Sequence, residues 1–127
     1  MSPSGITPIP WQELPNAPAP GTCIGNLNAL ENGQAACSSG AFPVLLLRSN
    51  QVVYAYANRC PHFGVALTTA HGTLHHTAHE NVQCSVHLAR FRWNDGLCTW
   101  GDCTGEYLSA IPVEIDTDGA IRIKRAI

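Results

Sequence analysis

The chain has 127 residues, enough for one domain with its own core, and only 13% of them are charged, against roughly a quarter in ordinary soluble domains. A net charge of −2 gives no basic stripe and so no electrostatic case for nucleic acid, and no apolar run approaches the ~20 residues of a membrane span. Met1 to Pro20 shows no basic head, apolar stretch or twin arginine, so the expected compartment is the cytoplasm.

Residues 1–20 carry six of the nine prolines, which predicts an extended arm rather than a folded element. Trp11 and Leu14 are the side chains that could fasten it to a domain expected over residues 21–127. A turn of helix around Leu27–Glu31 is the only helical signal. Val44 to Arg48 is an apolar run, Ser49-Asn50 a turn, and Gln51 to Ala57 a second run, which together predict a hairpin leading into Cys60. Phe91-Arg92-Trp93, Asn94-Asp95-Gly96 and Leu97 to Trp100 predict another tight strand pair. Ile111 to Ile115 alternates, Asp116 to Gly119 turns, and Ala120 to Lys124 alternates again. The pattern predicts an all-β domain of small antiparallel sheets, with two ligand loops at one end.

Those loops carry the chemistry. Cys60-Pro61-His62 is followed, after 21 residues, by Cys84-Ser85-Val86-His87. Zinc fingers pair cysteine with cysteine and then histidine with histidine. Here each couplet mixes a soft sulfur with an imidazole nitrogen, so each of two loops offers one ligand of each kind. Six cysteines are many for a reducing compartment, where structural disulfides are rare and metal binding is the better use. Cys23, Cys37, Cys98 and Cys103 read as small buried apolar residues. Cys98 and Cys103 also admit a redox-active pair, and a four-cysteine or zinc site on Cys60, Cys84, Cys98 and Cys103 is a further reading. That site would leave both histidines unused, and the order lacks the C-x4-C-x2-C run.

From Leu27 to Ile127 the sequence resembles Rieske-type ferredoxins. Phe42 to Leu67 is similar to their strand, turn and strand before the first ligand loop, Val82 to Cys98 to the second loop and its hairpin, and Gly105 to Ile123 to the closing strands. The resemblance implies one [2Fe-2S] cluster per chain. Cys60 and Cys84 would bind the inner iron as thiolates, and His62 and His87 the outer iron as imidazoles. Gly64 would let the first loop bend closely around the sulfides. High-potential relatives carry an extra cysteine in each loop, joined as a disulfide, where this chain has Val65 and Val86. They also carry a serine and a tyrosine whose hydroxyls bond cluster sulfurs, where this chain has Ala89 and Phe91. A hydrogen bond favouring the reduced cluster by ~1.4 kcal/mol raises a one-electron potential by roughly 59 mV. The expected potential therefore lies at the low end of the class range, about −150 mV.

A low potential implies a soluble electron carrier between a flavin-dependent NAD(P)H reductase and a terminal oxygenase, without a substrate of its own. A Rieske-fold small subunit of a larger oxidoreductase is the alternative. Leu88 stands where many relatives have glycine, and Asp102 where they have proline. The segment with His71, His75, His76 and His79 is longer than the resemblance suggests. It is expected to form a solvated loop, with a second metal site as the other reading.

Overall fold

The computed structural model describes residues 10–37, 41–61, 66–68, 74–84, 88–101 and 103–124. Among them there is no α-helix, and none long and apolar enough to cross a membrane. The strands are β1 (Cys23–Asn26), β2 (Ala35–Cys37), β3 (Val44–Ser49), β4 (Val52–Ala57), β5 (His75–Thr77), β6 (Asn81–Gln83), β7 (Arg90–Arg92), β8 (Cys98–Trp100), β9 (Val113–Ile115) and β10 (Ala120–Ile123). They form three antiparallel sheets in the orders β1-β10-β9, β2-β3-β4 and β5-β6-β7-β8. The all-β expectation holds.

The sheet β2-β3-β4 lies between two cores. Alternate side chains of a strand face opposite sides, and β3 sends Val44 and Leu46 into one core and Leu45 and Leu47 into the other. On β4, Val53 and Ala55 enter the first core while Tyr56 enters the second. Burial on both faces explains why Val44 to Leu47 is continuously apolar rather than alternating. The connecting turn falls one residue later than expected: Ser49 pairs with Val52, and Asn50 adopts a φ of 57°. Asparagine tolerates that left-handed conformation better than most residues.

The first core joins this sheet to β9 and β10 through Val113, Ile115, Ile121 and Ile123, and it also takes in Trp11. Trp11 opens a short 3-10 turn, and both Trp11 and Leu14 are buried. The chain then returns to the sheet, where the Gly21 N–H donates to the Ile123 carbonyl at 2.7 Å. A second 3-10 turn, Leu27–Ala29, is capped by the Asn26 side chain, which accepts the Asn28 N–H at 2.8 Å. The second core contains Leu45, Leu47, Tyr56, Val82, Phe91, Trp93 and Leu108, and it also holds four of the six cysteines.

The histidine-bearing stretch departs from the solvated loop expected of it. His75 and His76 lie on β5, which pairs with β6, and His79 sits in the turn between them at a φ of 65°. β5 is exposed throughout and brings no apolar side chain. Its place comes from β6, whose fully buried Val82 and pairing with β7 fix the hairpin from one side. The rings of His76 and His79 lie 6.2 and 5.7 Å from that of buried Trp93. His71 is outside the described residues.

Candidate functional site

β4 runs out at Ala57, and three residues later Cys60 is fully buried. The intervening Asn58, also buried, ties together the two ends of the first loop. Its backbone N–H donates to the Pro43 carbonyl at 3.0 Å. Its side-chain oxygen accepts the Leu67 N–H at 2.8 Å, and its amide nitrogen donates to Cys37 Sγ at 3.1 Å and Thr68 Oγ1 at 3.3 Å. Leu67, fully buried, then anchors the far end in the same core as Cys60. Burial pushes the Cys37 thiol pKa up, and the Asn58 hydrogen bond partly opposes this.

Cys84 follows β6 directly and is also fully buried. The second loop closes on itself: the Cys84 N–H donates to the Ala89 carbonyl at 2.8 Å, and the Leu88 N–H to the Cys84 carbonyl at 2.9 Å. Closing so short a loop forces Leu88 to a φ of 59°, the conformation in which glycine is unstrained. Leu88 is the position at which many Rieske-type relatives carry glycine.

A third segment packs against both. Gly101, at a φ of 105°, lies so close to the second loop that a Cβ there would sit 3.0 Å from Ala89 Cα. The turn that follows is fixed by Thr104 Oγ1 donating to the Gly101 carbonyl at 2.6 Å, the Glu106 N–H to the Cys103 carbonyl at 2.9 Å, and the Gly105 N–H to the Cys98 carbonyl at 3.0 Å. Cys103 is thereby brought into the core beside Cys60, Cys84 and Cys98.

The expected ligand set therefore divides. Cys60 and Cys84 come together in one core, both fully buried. His62 and His87 lie outside the described residues, as do Gly64, Val65, Val86 and Asp102. Among the described residues no three histidine, cysteine or acidic side chains are placed to share a metal ion, so the four-cysteine reading gains no support. Two desolvated sulfurs at the heads of two loops, each loop carrying one histidine further along, are a donor set suited to an iron–sulfur group of mixed ligation. Ala89 and Phe91 are both buried and bring no hydroxyl into this core. Next to the second loop, Leu88 and Trp100 are half exposed, and the Arg90 guanidinium lies 5.2 Å from the Trp100 ring.

Sequence reasoning missed Asn58 and Gly101. The signal for Asn58 was a single polar residue closing an apolar strand just before a cysteine. For Gly101 it was a glycine after a strand, which becomes informative only once Ala89 lies against it.

The family model of the Rieske [2Fe-2S] domain matches residues 22–115. A comparison with curated protein sequences found no match. Solved structures are similar in fold. The ferredoxin of carbazole 1,9a-dioxygenase from Nocardioides aromaticivorans IC177 is 21% identical, with a TM-score of 0.62 over 85% of this chain and 100% of that one. The terminal oxygenase of carbazole 1,9a-dioxygenase from Novosphingobium sp. KA1 is 20% identical, with a TM-score of 0.68 over 84% of this chain but 30% of that one. A chain from the reduced complex between oxygenase and ferredoxin in carbazole 1,9a-dioxygenase is 20% identical, with a TM-score of 0.66 over 80% of this chain and 27% of that one.

Proposed function

The chain belongs to the Rieske [2Fe-2S] domain family, and from that premise we propose that it is a one-electron carrier rather than a catalyst, taking electrons from a flavin-dependent NAD(P)H reductase and passing them to a terminal oxygenase. In this reading Cys60 and Cys84 hold the inner iron, and His62 and His87 the outer iron, of one cluster per chain. The observation that carries it is the complete burial of Cys60 and Cys84, each heading a loop that also contains a histidine. A thiolate removed from water in this way requires a cationic partner. The bound cluster would supply a reversible one-electron centre.

The chain's own residues hold that centre still and set its energy. The Asn58 clamp and the backbone closure of the second loop limit movement around the sulfurs, which favours a small reorganisation on electron transfer. Ala89 and Phe91 withhold hydroxyl donors, which supports a potential low enough to accept electrons from a flavin. Leu88 and Trp100 offer an apolar anchor beside the second loop, in keeping with a protein partner. The likeness to a dioxygenase ferredoxin over that protein's whole length supports an oxygenase as that partner. The proposed compartment is the cytoplasm, with neither nucleic acid nor membrane as a partner.

EPR of the dithionite-reduced protein tests the ligand set. The expected result is the signature of mixed cysteine and histidine ligation, altered or abolished by His62→Cys. An all-cysteine signature, or one indifferent to that change, refutes the reading. Gel filtration and co-purification from the host separate a free carrier from the small subunit of a stable complex.

A further inference from the structure

Residues 10–20 lie outside the stretch that the family model matches, which begins at residue 22, yet they are built into the domain. Trp11 is 4% exposed and belongs to the core of Val44, Leu46, Ile121 and Ile123, and Leu14 is 7% exposed. Little else holds this arm. Among the described residues its backbone hydrogen bonds are local: the Glu13 N–H donates to the Pro10 carbonyl at 2.9 Å, the Leu14 N–H to the Trp11 carbonyl at 3.2 Å, and the Ala17 N–H to the Leu14 carbonyl at 3.3 Å. Backbone bonding to a strand starts only at Gly21. The one side-chain hydrogen bond that the arm donates to the domain, again among the described residues, is a long one, from Asn16 Nδ2 to the Ala41 carbonyl at 3.4 Å. The Trp11 Nε1–H is buried without an acceptor. Burying the indole ring favours docking, and the stranded N–H opposes it. An arm held by side chains, with no share in a sheet, is free to open on its own.

The docked arm lies against the root of the first ligand loop. Leu14, Pro15 and Asn16 line a cleft of about 180 Å3 together with Pro43, Asn58 and Arg59. Pro43 and Asn58 are joined by the 3.0 Å backbone hydrogen bond from which the loop departs, and with the arm in place Asn58 is 7% exposed. A hydrogen bond shielded from water is stronger than one open to it. Release of the arm would bring water to that bond and to the Asn58 side chain that accepts the Leu67 N–H.

We propose that residues 10–20 form a strap that shields the root of the first ligand loop, and that its undocking opens this root while the rest of the domain stays folded. The strap makes the hold on the loop depend on a segment beyond the matched domain. Its consequence for the cluster rests on Cys60 being a ligand; the opening itself does not.

The test is deuterium uptake by the intact, cluster-loaded protein, resolved by peptide mass spectrometry, with chelator-driven iron release measured beside it. Leu14→Glu sets a charge at a buried position and should free the arm. Uptake over 10–20 and over 57–59 should then quicken about tenfold or more, while β10, paired on both sides, keeps its wild-type rate. Pro20→Gly changes an exposed residue and acts by widening the freedom of the undocked arm, so the same two segments should quicken about two- to fivefold. Should Leu14→Glu fail to fold, Pro20→Gly decides. A rise confined to 10–20 would make the arm a passive tail, and an equal rise in β10 would make it one part of the global fold; either result overturns the proposal. Iron release should quicken in step with uptake over 57–59. If that segment opens and iron release does not change, the strap stands and Cys60 is refuted as a ligand.

Discussion

Removing the Asn58 side chain should loosen the first ligand loop more than any change of similar size on the surface. Asn58→Ala leaves the Leu67 N–H, in a residue with no exposed area, without its acceptor, and it removes the amide that serves Cys37 and Thr68. An unsatisfied buried donor costs about 1–3 kcal/mol, and each lost neutral hydrogen bond about 0.5–1.5. The sum, about 2–6 kcal/mol, is a large share of the roughly 5–15 kcal/mol that holds such a domain folded. Because both ends of the loop meet at Asn58, the loss should fall first on the opening of that loop. Even about 2 kcal/mol multiplies the open fraction roughly 30-fold.

The assay has two arms: the urea midpoint of unfolding, and the rate at which a chelator strips iron from the native protein. Asn58→Leu separates the causes, since leucine fills the space but accepts nothing. If the hydrogen bond to Leu67 is what matters, Asn58→Leu will be about as unstable as Asn58→Ala, and both will lose iron at least tenfold faster than wild type. Recovery of stability by leucine, or an Asn58→Ala protein within about 0.5 kcal/mol of wild type, would show that packing alone accounts for this residue.

Four further outcomes are expected. The wild-type midpoint should lie near the low end of the Rieske range, about −150 mV, and Phe91→Tyr should raise it by up to about 59 mV if its hydroxyl supplies ~1.4 kcal/mol to the reduced state; a wild-type value above about +100 mV in voltammetry contradicts the low-potential reading. Gly101→Ala places a Cβ 3.0 Å from Ala89 Cα at a φ of 105° and should cost about 1–3 kcal/mol by urea denaturation, with loss of bound iron. Trp100→Ala should raise the concentration of this protein needed for half-maximal oxygenase turnover about 5- to 30-fold, without moving its midpoint potential. The Asp95 carboxyl is held below its ordinary pKa, first by its hydrogen bond from Arg92. Its stabilising effect is therefore complete above the unfolded-state pKa of about 3.9 and lost as pH falls through the lower folded value, so Asp95→Asn should flatten the acid limb of the stability profile below about pH 4.

The parts of this fold legible in the sequence are those whose information is local. β3 and β4 announce themselves through apolar runs, leucine-rich in one and valine- and tyrosine-rich in the other, with an asparagine at the turn, and β9 and β10 through alternation on either side of an Asp-Gly turn. β5 does not, because His75, His76 and Thr77 bury nothing and are held by the register of β6. The double burial of Val44 to Leu47 was equally hidden: a run of four apolar residues says that a strand is buried, not that it stands between two cores. At the site, the couplets exposed the cysteines directly. The five-residue spacing of Cys98 and Cys103 suggested proximity, but their burial in the same core as Cys60 depends on the turn after Gly101 lying against the second loop. Asn58 is a single amide, and only the pairing of both loop ends reveals its use.

The distribution of cysteines between the cores follows from what each core must do. The core around Trp11, Val44, Ile121 and Ile123 contains no cysteine, so its cohesion comes from apolar contacts that are indifferent to metal. The other core contains Cys60, Cys84, Cys98 and Cys103, and two of these are the proposed ligands. Desolvating their thiolates is favourable only with the iron present, which links the integrity of that core to cluster binding. The middle sheet belongs to both cores: β3 and β4 are fixed on one face by a metal-independent packing layer and present Cys60 from the other. A scaffold held from behind in this way can keep the first ligand loop close to its bound geometry before iron arrives. Among the described residues, the second loop is closed by its own backbone hydrogen bonds and by the close approach of Gly101 to Ala89, and it depends more heavily on the metal for its place.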